Sequence, residues 1–463
     1  TDGSSTITTT GTSLAVTDSV WTKTVNISSL ADGNIDITAD VTDLAGNPAT
    51  QATKTLIKET VIPTLAIDNP LMTDNIVNDA EKTAVVISGI SNAENSQRVA
   101  LAITDGVTTI YDTVTVTSGS WQTAGLDISA LADGNIDITA DVFDLAGNPA
   151  TQATKTVTKD ATLPTLAIDD PLMTDNIVND AEKSAVVISG TTNAEDGQIV
   201  TLIITDGSTP PISITANPTV TGGVWTYTAN MSLWADDNIT ITADVFDLAV
   251  NPATQATRTL VKDIVAPTLA NDATLMTDNI VNDAEKSAVV ISGTSNAEDG
   301  QTVTLIITDG STPPNSITTN PTVTGGVWSY TANMSLWVDG TITITADVSD
   351  LAGNPATQVT RTLIKDTALP TLGIDDPLMI DNRVSDAEQA AVVISGTSNA
   401  EDNQDVTLMI TDGDIPQNAV NATVTVTGGV WTYTADISAL FDGNIAVRAN
   451  VFDLAGNPAA PAT

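Results

Sequence analysis

The chain contains no cysteine and no histidine. The first absence excludes disulfide staples, zinc or iron–sulfur ligation and thiol chemistry. The second removes the side chain most often used as a general base near neutral pH. Aromatic residues make up only 3%, and 15 basic residues face 57 acidic ones, for a formal charge of −42. So acidic a chain repels nucleic acid and anionic membrane surfaces, and its natural partner is a cation. No run of about 18 apolar residues is present to cross a bilayer, and the opening Thr1-Asp2-Gly3-Ser4 does not read as a signal peptide. The expectation is a soluble segment excised from something longer.

What the chain does have is a strand-forming vocabulary. Apolar residues reach 41%, and Thr, Val, Ile and Ala dominate, a bias that suits pleated, half-buried surfaces. At 463 residues the chain is too long for one small core, and about 100 to 200 residues per domain gives roughly three or four units. Its period is plain. Asp-Leu-Ala-Gly-Asn-Pro begins at Asp43, Asp144, Asp350 and Asp453, with a variant at Asp247 in which Val250 replaces the glycine, so successive steps are 101, 103, 103 and 103 residues. Asp-Asn-Ile-Val-Asn-Asp-Ala-Glu begins at Asp74, Asp175 and Asp278 and returns, altered, at Asp381. A fixed period of this kind decides the architecture. The division it gives is four repeats, 59–159, 160–262, 263–365 and 366–463. Residues 1–58 are read as the C-terminal part of a truncated repeat, because Thr1-Asp2-Gly3 aligns with Thr104-Asp105-Gly106 in the middle of the next one. Alone, such a half exposes an unpaired edge.

Within 160–262, short β-branched runs alternate with Gly, Pro, Asn and Asp punctuation, which predicts an all-β fold of about seven strands. They fall at 165–168, 184–190, 199–205, 212–220, 224–230, 239–245 and 254–262. Alternation is clearest in the sixth, where Ile239, Ile241, Ala243 and Val245 share one face and Thr240, Thr242 and Asp244 the other. The fold class is a tandem array of immunoglobulin-like β-sandwich domains in an extended rod. Trp225 recurs in phase as Trp21, Trp121, Trp328 and Trp431, the pattern of a packing residue. Trp234 and Trp337 suggest sugar-stacking platforms, but Leu30, Leu131 and Leu440 hold the same position, so an apolar plug explains all five.

The order of these motifs, through Val-Val-Ile-Ser-Gly-Thr, Asp-Gly-Gln-Ile-Val-Thr-Leu and Asp-Leu-Ala-Gly-Asn-Pro to Lys-Asp-x-x-x-Pro-Thr, resembles the bacterial Ig-like tandem repeats of giant RTX and biofilm-associated adhesins. The likeness is closest to the calcium-dependent extender repeats of marine bacterial adhesins, the ice-binding kind included. That resemblance spans nearly the whole chain. It implies type I secretion, an extracellular place on the bacterial cell surface, and repeats that project an adhesive tip.

The placement of the acids points to a metal independently. Residues 160–262 carry thirteen acidic and three basic side chains, too few bases for internal neutralisation. In an Ig-like sandwich the connections after the first, third and fifth strands share the end at which the chain leaves. The trailing end of this repeat then holds Asp175, Asn179, Asp180, Glu182, Asp206 and Asp236. The linker Asp263, and Asp347 and Asp350 from the leading end of the next repeat, face it across the junction. Without a cation the set repels; Ca²⁺ accepts six to eight oxygen ligands in irregular geometry and fits it. Carried along the period, the candidate ligands are Glu59, Asp141 and Asp144 at the first junction. At the second they are Asp74, Asn78, Glu81, Asp133, Asp160, Asp244 and Asp247, and at the third Asp175, Asn179, Glu182, Asp236, Asp263, Asp347 and Asp350. Asp278, Asn282, Glu285, Asp339, Asp366 and Asp453 complete the fourth. The absence of Cys and His argues against softer metals, and Mg²⁺ takes fewer protein oxygens. Several Ca²⁺ ions are therefore expected, mainly at interdomain junctions, though no EF-hand spacing is present.

A plainer reading stands beside each of these. Asp-Leu-Ala-Gly-Asn-Pro also suits a tight turn, and Asp206-Gly207 and Glu195-Asp196-Gly197 read as turns rather than ligands. Glu59 replaces the linker Asp, Arg383 and Ser385 alter the last copy of the second motif, and Asn450 stands where Asp141, Asp244 and Asp347 do. Those junctions are expected to bind more weakly.

The function expected is a structural extender of a secreted surface adhesin, rigidified by Ca²⁺ at its linkers so that a distal adhesive domain is held away from the cell. The expected partners are calcium ions and neighbouring repeats of the same chain, with no nucleic acid, no direct membrane insertion and a monomeric rod. The alternative is a module that binds carbohydrate or a partner cell through its loops. That reading requires one repeat to differ at exposed aromatic loop positions, whereas the repeats are nearly interchangeable. An enzyme requires a unique constellation, yet each carboxylate pair recurs and no His or Cys accompanies it.

Overall fold

The computed structural model describes residues 1–9, 16–412 and 418–463. Among them every regular element is a β-strand, as the composition requires. The chain divides into two compact units: residues 1–172, 187–228 and 239–259 form the first, and 173–186, 229–238 and 260–463 the second.

In the first unit, β1 (Gly33–Ala39) and β2 (Ala52–Lys58) pair antiparallel. The next eight strands are β3 (Leu65–Ile67), β4 (Ile76–Val77), β5 (Ser88–Ser91), β6 (Arg98–Thr104), β7 (Thr109–Thr115), β8 (Ser120–Gln122), β9 (Gly134–Val142) and β10 (Ala153–Lys159). They make two sheets, a three-stranded β3-β5-β8 and a five-stranded β4-β10-β9-β6-β7. Strict alternation builds the core between them: Ile136, Ile138, Ala140 and Val142 of β9 and Val99, Leu101 and Ile103 of β6 are buried, while Asp137 and Thr139 point away. The same positions in β1 and β2 are open. Ile37 and Leu56 are 45% and 49% exposed, whereas Ile138 and Val157, one period later, are 1% and 4% exposed.

In the second unit the pattern repeats twice. Strands Leu269–Asn271, Val289–Ser295 and Val327–Ala332 form a three-stranded sheet, and Ile280–Val281, Val359–Lys365, Gly340–Asp347, Thr304–Asp309 and Ser316–Thr319 a five-stranded one. Farther on, Leu372–Ile374, Val392–Ser398 and Val430–Ala435 face a three-stranded sheet of Ala419–Thr425, Asp405–Thr411 and Ala446–Val451. Each pair encloses its own apolar core.

The seven strands expected within 160–262 are all present. They are β11 (Leu166–Ile168), β13 (Val186–Thr192), β14 (Val200–Asp206), β15 (Ser213–Ala216), β16 (Val224–Ala229), β17 (Asn238–Val245) and β18 (Ala256–Lys262). The fourth is shorter than expected, ending at Ala216, because Pro218 two residues on has no backbone N–H to continue the ladder. An eighth, β12 (Ile177–Val178), runs parallel to the end of β18 with Val178 opposite Lys262. Two residues are too few to leave a periodic signal. Trp121, Trp225, Trp328 and Trp431 are buried core residues, while Trp21 is 47% exposed. Trp234, Leu30 and Leu131 are buried as well, so that position is a plug and not a sugar platform.

Candidate metal centres at the repeat junctions

In three repeats the trailing end opens with a capped turn. Asn78 accepts hydrogen bonds through Oδ1 from the backbone N–H of Ala80 (3.0 Å) and Glu81 (3.1 Å), and the N–H of Asn78 donates back to Glu81 Oε2 (3.2 Å). This reciprocal cap recurs at Asn179 with Glu182 and at Asn282 with Glu285. Local order, then, already occupies one oxygen of each of these glutamates. Asp79, Asp180 and Asp283, one residue beyond the capping asparagine, pair with Lys82, Lys183 and Lys286.

The aspartates that precede the next linker have a buried cation partner. Lys159 reaches Asp133 at 2.5 Å, Lys262 reaches Asp236 at 2.6 Å and Lys365 reaches Asp339 at 2.6 Å, each lysine side chain at most 5% exposed. Their second oxygens accept the N–H of Ala161 (3.1 Å), Ile264 (3.2 Å) and Thr367 (3.1 Å). Desolvation is the largest influence on Asp133 and Asp339 and raises their pKa. The lysine, threonine and backbone donors together outweigh it and hold both below the ordinary carboxylate value.

At the leading end, the Asp-Leu-Ala-Gly-Asn-Pro loop folds on its own first residue. Asp247 Oδ1 accepts the N–H of Asn251 (2.8 Å) and its Oδ2 the Asn251 amide (2.9 Å), and Asp144, Asp350 and Asp453 do the same with Asn148, Asn354 and Asn457. The motif is therefore a tight turn, with Gly147, Gly353 and Gly456 at positive φ. The same asparagine also reaches the linker. Its Nδ2 donates to the carbonyl of Glu59 (3.1 Å), Asp160 (2.9 Å), Asp263 (3.0 Å) and Asp366 (3.0 Å) in turn.

Around the linker carboxylates the charge is uncompensated. No ion pair among the described residues includes Glu59, Asp160, Asp263 or Asp366. Desolvation, followed by the nearby charges of Asp247, Asp133 and Glu195, raises the pKa of Asp160. At Glu59 desolvation again leads, followed by Glu94, Asp144 and Asp32. Each of these two junctions thus brings four carboxylates within electrostatic reach: one from the linker, one from the trailing end before it and two from the leading end after it.

The glutamate in that set does more than the turn its sequence suggests. Glu195 Oε2 accepts the N–H of Leu248 at 2.9 Å, and Glu94, Glu298 and Glu401 repeat the bond to Leu145, Leu351 and Leu454, which ties the leading-end loops together beside the linker. The signal available in the sequence is its recurrence in phase with the linker acid. Its neighbour Asp196 is a turn residue, accepting the N–H of Gly222 (2.7 Å). Other expected ligands are engaged locally. Asp74, Asp175 and Asp278 each accept the N–H two residues on at 2.9 Å, and Asp141, Asp244 and Asp347 accept the side chains of Gln152, Gln255 and Gln358.

Among the described residues no three acidic side chains close on one point as a finished set of metal ligands. What the junctions offer is a set of oxygen donors around a linker carboxylate that no ion pair among the described residues compensates. Oxygen donors of this kind suit hard divalent cations rather than thiolate- or imidazole-seeking metals.

The fold is thus a tandem series of Ig-like sandwiches. Residues 119–218 match the family model of the bacterial Ig-like domain (group 3), so the expected resemblance holds over that stretch, which runs from one repeat into the next. No curated protein matches the chain. Among solved structures it is similar to a tetra-tandem repeat in the extending region of a large adhesion protein, at 26% identity over 86% of this chain and 97% of that one, with a TM-score of 0.35. It is also similar to the Ca²⁺-stabilized adhesin with which an Antarctic bacterium reaches out and binds ice, at 26% identity over 87% of this chain and 98% of that one (TM-score 0.34). A third likeness, at 24% identity, is to a 1.5-MDa bacterial ice-binding adhesin studied for host cell surface retention, covering 67% of this chain and 100% of that one (TM-score 0.34).

Proposed function

We propose that the chain is a non-catalytic extender of a bacterial surface adhesin, in which Ca²⁺ bound beside each linker stiffens successive sandwiches. The repeats would be 59–159, 160–262, 263–365 and 366–463, following a partial one at 1–58. One observation carries the reading: a linker acid, a buried loop aspartate and a loop glutamate recur at every junction in phase with the period. A recurring junction suits a spacer, whereas a binding site for a sugar or a cell needs one repeat to be unlike the rest. The cation would draw on the linker acid together with Asp247 and Glu195, or their counterparts, and replace the repulsion among them with shared attraction.

Extracellular modules bind Ca²⁺ with dissociation constants of about 10⁻⁴ to 10⁻³ M, so at about 10 mM calcium each site contributes on the order of 1.5 to 3 kcal/mol. In a calcium-poor cytoplasm the sites would be empty and the chain more pliant, which suits export before stiffening outside the cell. Small-angle scattering tests this. The radius of gyration should be larger and the curve sharper in calcium than in chelator, and a scattering curve that calcium leaves unchanged overturns the reading.

A further inference from the structure

The junctions contain a direct protein-to-protein bond that needs no metal. Asn251, Asn354 and Asn457 are 1%, 2% and 1% exposed. Each uses its Nδ2 on its own loop aspartate and on the linker carbonyl, as described above. Each uses its Oδ1 on the preceding repeat: it accepts the backbone N–H of Asp79 (2.7 Å), Asp180 (2.8 Å) and Asp283 (2.7 Å) respectively, from the capped turns. One buried amide therefore holds three parts of the molecule at once: the leading loop of one repeat, the linker, and the trailing turn of the repeat before. At the third junction a second bond joins it, from Asn179 Nδ2 to the Ala352 carbonyl (3.1 Å).

We infer that this asparagine is a metal-independent latch that fixes the orientation of each repeat on its predecessor, with the cation tightening a joint that is already set. A buried amide with both its donor and its acceptor committed tolerates little rotation, since breaking either bond strands a buried polar group. The donor from the preceding repeat is a backbone N–H in a turn whose own cap is satisfied, so its direction is fixed. Proline follows the asparagine in every copy: Pro149, Pro252, Pro355 and Pro458. Proline has no backbone N–H, so the usual loss of a side-chain amide, by ring closure of the next backbone nitrogen onto it, is blocked. Asn148 makes the linker part of the same contact, donating to the Glu59 carbonyl at 3.1 Å.

The test isolates the bond from the metal. Because the chain has no cysteine, Thr304→Cys and Thr407→Cys, at exposed positions on the strands Thr304–Asp309 and Asp405–Thr411 on either side of one junction, accept spin labels at those two sites alone. In chelator the distance distribution between them should be single and within twofold of its width in calcium. Asp283→Pro deletes the N–H that Asn457 accepts; it lies one residue after the capping Asn282, where proline is well tolerated. It should at least double the width, while Asp283→Ala, which keeps the N–H, should not. If Asp283→Pro lowers the unfolding temperature below that of Asp283→Ala, Asn457→Ala replaces it and breaks the same bond from the other side. A reference chain already broad in chelator, or a broken latch as narrow as Asp283→Ala, overturns the inference. Either result leaves the calcium reading standing, because calcium binding is measured separately.

Discussion

Single residues show how little separates one repeat from the next. Asp206, Asp309 and Asp412 occupy the same place, and in two of the three a neighbouring asparagine donates its side-chain amide to Oδ2: Asn315 at 2.6 Å and Asn418 at 2.8 Å. In the third the neighbour is Ile212, which is 45% exposed, and Asp206 Oδ2 is buried without a partner. Stranding a buried acceptor costs about 1 to 3 kcal/mol, and part of that is recoverable. Ile212→Asn should therefore stabilise this repeat by about 1 kcal/mol, a rise of about 4 °C for a domain near 100 residues. Calorimetric unfolding of the chain checks it, and an unchanged or lowered transition counts against the pairing. The need for the aspartate is legible in the sequence as a turn; the orphaned oxygen is not, because it depends on which side chain lies six residues away across the loop.

At the scale of elements, the strands are legible because one face of each is buried and the other wet, which writes a period of two into the residues. The parallel strand Ile177–Val178 escapes, being too short to carry any period. The slot that receives the recurring tryptophan is also hidden. A Cβ on Gly293 would lie 2.1 Å from the Ala270 carbonyl and 2.5 Å from the Trp328 ring, and Gly89, Gly190 and Gly396 meet the same obstacles. A glycine inside a strand usually weakens it; here its bare backbone lets the indole lie flat against the sheet. Overpacking of this kind costs about 1 to 3 kcal/mol or more. Gly293→Ala should lower the unfolding transition of its repeat by at least that, whereas Gly300→Ala, in open space at positive φ, should cost only about 1 kcal/mol of backbone strain. Equal effects of the two in chemical denaturation would contradict the slot.

For the molecule as a whole, the period locates the junctions and the phase locates the linker acids, so the position of the candidate site follows from the repeats alone. How the individual acids are used does not. Asp133, Asp236 and Asp339, expected as ligands, are ion-paired to buried lysines, a pairing between residues 26 apart that no local pattern announces. Glu195 lies in a stretch with the signature of a turn, yet it stands among the carboxylates that act on Asp160. The asparagine of Asp-Leu-Ala-Gly-Asn-Pro carries turn chemistry and also spans two repeats. In each case the deciding contact crosses from one loop to another, and only the fold brings the loops together.

These junctions make the calcium account quantitative. Asp263 belongs to a junction with a full set of counterparts on both sides, namely Asp236, Glu298, Asp350 and Asn354. Its carbonyl accepts the Asn354 amide, and its carboxylate accepts one bond, at 3.1 Å, from the N–H of Val265. Replacing it with alanine therefore removes the proposed ligand and spares the backbone contact. The decisive measurement is a calorimetric titration of the chain with calcium, beside the same titration of Asp263→Ala. Calcium held by the linker carboxylates predicts saturable binding by the unaltered chain, with the variant losing the sites of one junction and keeping the rest. Identical stoichiometry in the two, or no calcium binding by either, would contradict it.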